Sequence, residues 1–237
     1  MNKRNIKKVS ESQTEEEDFV AVASHQLRTP LTIMNGYLAM ILAGDFGSLD
    51  DKLKAALTAV WQANERMLRL VENLLNASRL EDGKLKVFKT KIELSSYIKA
   101  LVEEIKPKAE GKNLYLRSKV LGKKTILADE LLLHQAIVNL LDNAIKYTKQ
   151  GGVMIEVKAL TKHVLIIVSD SGPGLNQKQL KDLFSKFSRY KVKGSSEKGF
   201  GLGLYVSKMI IEAHQGTIKA EKNQKGGLKI TIKLPIK

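Results

Sequence analysis

From Phe19 the apolar positions Val20, Leu27, Leu31, Met34, Leu38 and Ile41 recur, and from Leu27 on the steps are 4, 3, 4, 3. A second series, Leu53, Leu57, Val60, Asn64, Met67, Val71, Leu74 and Ser78, steps 4, 3, 4, 3, 4, 3, 4. Spacing of this kind lines side chains along one seam of a helix. Gly44-Asp45-Phe46-Gly47-Ser48 breaks the pattern, and Asp50-Asp51 suit the start of a second helix. Two long helices with a short connection form an antiparallel hairpin. One hairpin buries both seams poorly, so a dimer forming a four-helix bundle is expected. Asn64 and Ser78 then fix register at some cost in stability. Pro30 lies inside the first helix, where it removes a ladder bond and should kink it.

After about residue 90 the pattern changes to mixed helix and strand. Leu94 to Ala109 reads as a helix and Leu114 to Val120 as a strand. Asp129 to Tyr147 reads as a helix, and Val153 to Ala159 and His163 to Ser169 as strands. A helix follows Gly203, and Gly216 to Ala220 and Gly227 to Leu234 read as strands. The chain therefore divides into a polar lead-in (1–18), a helical hairpin (19–85) and an α+β domain (90–237).

Composition narrows the chemistry. The absence of cysteine excludes disulfides, Cys-ligated zinc and a thiol nucleophile. No apolar run reaches the roughly 18–20 residues of a membrane span, and no signal-peptide core follows the basic start. The net charge of +15 is uneven: residues 1–89 hold 13 Lys and Arg against 12 Asp and Glu, and residues 90–237 hold 27 against 13. A basic half can steer ATP or an acidic protein partner toward it. Aromatics are only 5% and do not alternate with basic residues, so no nucleic-acid partner is expected.

His25 lies one step past the seam position Ser24, at the edge of the expected bundle. Arg28 and Thr29 follow at i+3 and i+4, on the same helix face. A neutral imidazole is a nucleophile near neutral pH. Arg28 can hold a transferred phosphate, and Thr29 can orient a water or an acceptor oxygen. A helical histidine taken alone is more often a surface or hydrogen-bonded residue; its setting gives it weight.

Asn139 and Asn143 are four apart on one face of the helix 129–147, with Lys146 three further on. Amide oxygens suit hard Mg²⁺. Asp170 ends an apolar strand and opens Asp-Ser-Gly-Pro-Gly, with Gly172 and Gly174. A carboxylate there can accept from the amino group of adenine, where guanine presents an acceptor. Gly199-Phe200-Gly201-Leu202-Gly203-Leu204 lets backbone N–H groups approach phosphate at a helix N-terminus. Its spacing is neither a Rossmann fingerprint nor a P-loop.

Ser24-His25-Gln26-Leu27-Arg28-Thr29-Pro30 resembles the phosphoacceptor box of sensor histidine kinases. The segment His134 to Tyr147 resembles the N box of the GHKL ATPases, and the Asp170 turn the G1 box. Phe184 to Arg189 resembles the F box, followed by a polar lid, and Gly199 to Leu204 the G2 box. Lys225-Gly226-Gly227-Leu228 stands where a glycine-hydroxyl pair is common, and reads as a structural turn.

The resemblance implies a multidomain α+β protein, with a dimeric four-helix bundle followed by a GHKL (Bergerat-type) α/β sandwich. It implies ATP and Mg²⁺ as cofactors, with Asn143 the primary ligand and Asn139 assisting. It places Tyr147 near the base and Lys146, Arg189, Gly201, Leu202, Gly203 and Leu204 about the nucleotide. The implied activity is autophosphorylation of His25, then transfer to an aspartate of a response regulator, by a cytoplasmic homodimer or the cytoplasmic part of a longer anchored sensor. Where the family mostly carries a carboxylate after the histidine, this chain has Gln26. Its amide can orient the ring without charge, so a slower kinase step is expected. The alternatives are an enzyme acting mainly as a response-regulator phosphatase, through Thr29, and a nucleotide-gated dimeric scaffold.

Overall fold

The computed structural model describes residues 24, 26–81, 86–122, 124–188, 201–223 and 226–236, with no side-chain account of 79–81. The chain forms two compact units, Met1–Lys84 and Leu85–Lys237.

In the first unit, helix α1 (26–43) runs through Pro30. It ends at a turn in which Gly44 and Gly47 take φ of 95° and 109°. Helix α2 (Asp51–Glu81) follows, its first turn capped by the Asp50 carboxylate, which accepts from Leu53 N–H at 2.8 Å. The helices meet where buried Asn64 donates through Nδ2 to the Leu31 carbonyl at 2.8 Å. The seam splits by heptad position. Leu31, Asn64 and Val71 are buried, and Leu38, Leu57 and Ser78 are half-buried. The alternate positions Leu27, Met34, Leu53, Val60, Met67 and Leu74 are exposed, Val60 by 54%, with Ile41 of the same set half-buried. A single chain thus covers half of its apolar seam.

The second unit begins with β1 (Thr90–Glu93), α3 (Leu94–Glu110), β2 (Tyr115–Leu121), β3 (Thr125–Ala128) and α4 (Glu130–Tyr147). Then come β4 (Gly152–Ala159), β5 (His163–Asp170), α5 (Gln177–Lys181), α6 (Gly203–Ala213), β6 (Thr217–Lys222) and β7 (Leu228–Pro235). Five strands make a sheet in the order β2-β4-β5-β7-β6. Its β2–β4 pair is parallel and the others antiparallel. Alternation decides its two faces. Val153, Ile155, Val157, Val164, Ile166, Val168, Ile230 and Ile232 are buried on one side. On that side α3, α4 and α6 supply Ile98, Leu101, Ile105, Leu133, Ile137, Leu140, Leu141 and Ile210, each at most 2% exposed. The opposite face carries Lys158, Lys229 and Lys233 among its outward positions. The small β1–β3 sheet and the one-turn α5 have no counterpart in the hydrophobic pattern.

Candidate nucleotide site

Two clusters meet along the C-terminal half of α4. The first surrounds Asp170, at the end of β5. Its Oδ1 accepts from Gly172 N–H at 2.8 Å and from Leu228 N–H at 3.1 Å. Burial outweighs these bonds and pushes the carboxyl above its ordinary value. The Asp170 backbone carbonyl accepts from Asn223 Nδ2 at 3.1 Å. Gly172 leaves a cradle: a Cβ there would come within 2.9 Å of Asp170 Oδ1, 3.1 Å of the Tyr147 carbonyl and 3.5 Å of Thr148 Oγ1. Thr148 Oγ1 is buried and has no hydrogen-bond partner among the described residues. An oriented carboxylate, a space held open by glycine and an orphaned hydroxyl beside it fit the edge of a polar base such as adenine.

The second cluster joins α4 to α6. Asn139 Nδ2 donates to Ser207 Oγ at 2.8 Å, and Asn143 Nδ2 donates to Asn139 Oδ1 at 3.4 Å. Gly203 packs on this amide, since a Cβ there would lie 2.3 Å from Asn139 Oδ1. The N-cap of α6 is Leu202, which makes no side-chain capping bond. The Leu202 side chain thus takes none of the first N–H groups of that helix, and a helix N-terminus of this kind suits an anion. The Asn143 amide oxygen is a hard donor of the kind Mg²⁺ takes, so the residues present fit a magnesium–nucleotide complex.

Of the remaining expected residues, Gly201 (φ 74°) abuts Phe187 and Ser188, and Leu202 is buried. Lys146 stands over the Tyr147 ring at 5.4 Å. Gly174 lies against Gly227, and Leu204 is half-buried. Arg189 and Gly199 lie outside the described residues, as does His25. Gln26 and Thr29 are exposed, and Arg28 is half-buried, its Nε donating to no acceptor among the described residues. Thr148, Ser207, Asn223 and the Leu228 N–H join the site without having been expected. The turn at Gly226–Leu228 serves through its backbone, the Leu228 N–H donating to Asp170 Oδ1. A groove of about 550 Å³ on the uncovered sheet face, lined by Met154, Ile167, Glu221 and Lys229, includes none of the Gly201–Gly203 turn.

Residues 15–83 match the His Kinase A (phospho-acceptor) domain. Residues 128–237 match the histidine kinase-, DNA gyrase B- and HSP90-like ATPases. The chain belongs to the sensor histidine kinases. It is 32% identical over 222 residues to the sensor protein SrrB of Staphylococcus aureus, covering 92% of this chain and 38% of that one. The chain thus spans well under half the length of such relatives. Among solved structures, full-length ShkA in complex with AMPPNP matches with a TM-score of 0.73 at 27% identity, over 92% of this chain and 45% of that one. The histidine kinase AdeS of Acinetobacter baumannii matches with a TM-score of 0.63 at 26% identity, over 90% and 98%. Among the described residues no helix is long and apolar enough to cross a membrane.

Proposed function

We propose that this chain transfers the γ-phosphoryl group of ATP to His25 and then to an aspartate of a response regulator. The observation that supports this reading best is the pair of clusters along α4, one built on Asp170 and one on Asn143 and Gly203, in a chain that also carries Ser24-His25-Gln26-Leu27-Arg28-Thr29-Pro30. Asp170 accepts from the adenine amino group and so selects ATP over GTP. The N–H groups at the start of α6 hold phosphate oxygens. Mg²⁺, held by Asn143, neutralises phosphate charge when bound. A lone pair of the neutral His25 ring forms the N–P bond as the bond from phosphorus to the β,γ-bridging oxygen breaks and ADP departs. Gln26 orients the ring, and Arg28 neutralises the phosphate formed.

The exposed half of the seam supports a homodimer. A second copy would cover Leu27, Met34, Leu53, Val60 and Met67, and so complete a four-helix bundle. ATP chemistry and the longer sensor relatives support action as the cytoplasmic part of a larger sensor.

Incubation with Mg²⁺ and γ-labelled ATP tests the reading. Acid-labile, base-stable label on the wild type and none on His25→Ala is expected. Nucleotide binding without label on the wild type would overturn it in favour of a phosphatase or a nucleotide-gated scaffold.

A further inference from the structure

We infer that Ser207 is a positioning residue that sets which end of the Asn143 amide faces the metal. The inference rests on the reading of Asn143 as magnesium ligand. Ser207 is 1% exposed, on the inner face of α6, and its Oγ has three polar neighbours. Two are carbonyls: Gly203 O at 3.0 Å and Ala136 O at 3.4 Å. A carbonyl only accepts, so the single hydroxyl proton is committed to that side. Toward the third neighbour, the Asn139 amide at 2.8 Å, Ser207 can therefore only accept.

The polarity then propagates. Asn139 must present its NH₂ to Ser207, which turns its Oδ1 toward Asn143. Asn143 must answer with its own NH₂, across 3.4 Å. What remains for a cation is the Asn143 Oδ1, which has no hydrogen bond among the described residues. An amide is nearly symmetric in shape, and with its NH₂ outward it would repel a cation. The proton of one serine thus decides between a ligand and a repellent two hydrogen bonds away. Asn139 is a relay in this arrangement, because both ends of its amide are engaged. Gly203 and Ser207, one turn apart on α6, clasp that amide from the same side. The helix that opens at the phosphate-binding turn is therefore also the helix that sets the metal ligand.

The test measures ATP affinity by calorimetry on the full chain, in Mg²⁺ and in EDTA, and reads the ratio of the two dissociation constants. Ser207→Ala should shrink the factor by which Mg²⁺ tightens binding by about five- to tenfold, the effect of one lost hydrogen bond. Affinity in EDTA should stay unchanged, and Ser207→Thr should restore the factor. In an Asn143→Ala background, Ser207→Ala should have no further effect on it. A parallel loss of affinity with and without Mg²⁺ would mean a packing role and overturn the relay. So would an unchanged magnesium factor in Ser207→Ala beside a responsive wild type. A wild type whose binding ignores Mg²⁺ would instead overturn the magnesium reading of Asn143, and the relay with it.

Discussion

The imidazole of His214 holds together the beginnings and ends of three segments, and its titration should be visible in stability. It is 2% exposed, at the end of α6. Nδ1 lies 2.8 Å from the Ile210 carbonyl, which fixes the proton on that nitrogen. Nε2 is then the acceptor, and takes the Asp129 N–H at 2.9 Å. Asp129 in turn caps α4 through Oδ1 and holds the Phe88 N–H through Oδ2 at 2.9 Å. Protonation would turn Nε2 into a donor facing a donor. Burial, with a smaller contribution from Lys89, lowers the folded-state pKa of His214 despite the opposing Ile210 hydrogen bond and Asp129 charge. The unfolded chain therefore binds the proton first. The stability carried by the neutral ring is complete above about pH 6.5 and is lost as pH falls from there toward the folded pKa. The slope is about 1.4 kcal/mol per pH unit, or roughly 3–6 °C in melting temperature per unit. His214→Gln keeps an acceptor and does not titrate. Calorimetric melting of both proteins between pH 7.5 and 5 should show the steeper acid loss in the wild type. Equal slopes would refute the argument, since the other histidines and all carboxylates are common to both.

Asp170→Asn should preserve the fold, because an amide oxygen can still take the Gly172 and Leu228 N–H groups. It should weaken ATP binding about 30–150-fold (about 2–3 kcal/mol), measured by calorimetric titration. Gly203→Ala places a methyl 2.3 Å from Asn139 Oδ1. Nucleotide affinity should fall at least tenfold by the same titration, with circular dichroism unchanged. Val60→Glu puts a charge on the exposed half of the seam, and should shift the chain from dimer to monomer in sedimentation equilibrium. An unchanged mass would place the second copy elsewhere.

The sequence carried some of this architecture and hid the rest for identifiable reasons. The hairpin was legible because α2 repeats its seam over four heptads, and β5 because Val164 to Val168 is an unbroken apolar run. Strands β1 and β3 have four residues each, and only Ile92, Ile126 and Ala128 of them are buried. That is too short for an alternating pattern to rise above its surroundings. The asparagine pair could be found because both members lie on one helix at a fixed spacing. Ser207 could not, since its partner Asn139 is brought to it by the packing of α4 on α6. Thr148 sits just past the end of a helix, where a threonine is ordinary; only its burial without a partner among the described residues singles it out. His214 gave no signal either, because its role depends on a backbone N–H, which every residue but proline offers.

The position of β7 also bears on how the domain is made. Ser169 of β5 pairs with Lys229, and His163 with Pro235, so the middle of the sheet closes only with its last strand in sequence. At about 5–20 residues per second, a ribosome leaves one edge of β5 bare for roughly 3–12 s. The helical hairpin lies wholly before this stretch of sequence, so its two helices can pair with each other, and await a second copy, well before that. Through that interval the carboxylate of Asp170 also lacks the Leu228 N–H. The proposed adenine pocket is therefore among the last features to mature, and nucleotide can reward the finished fold but cannot template its early stages.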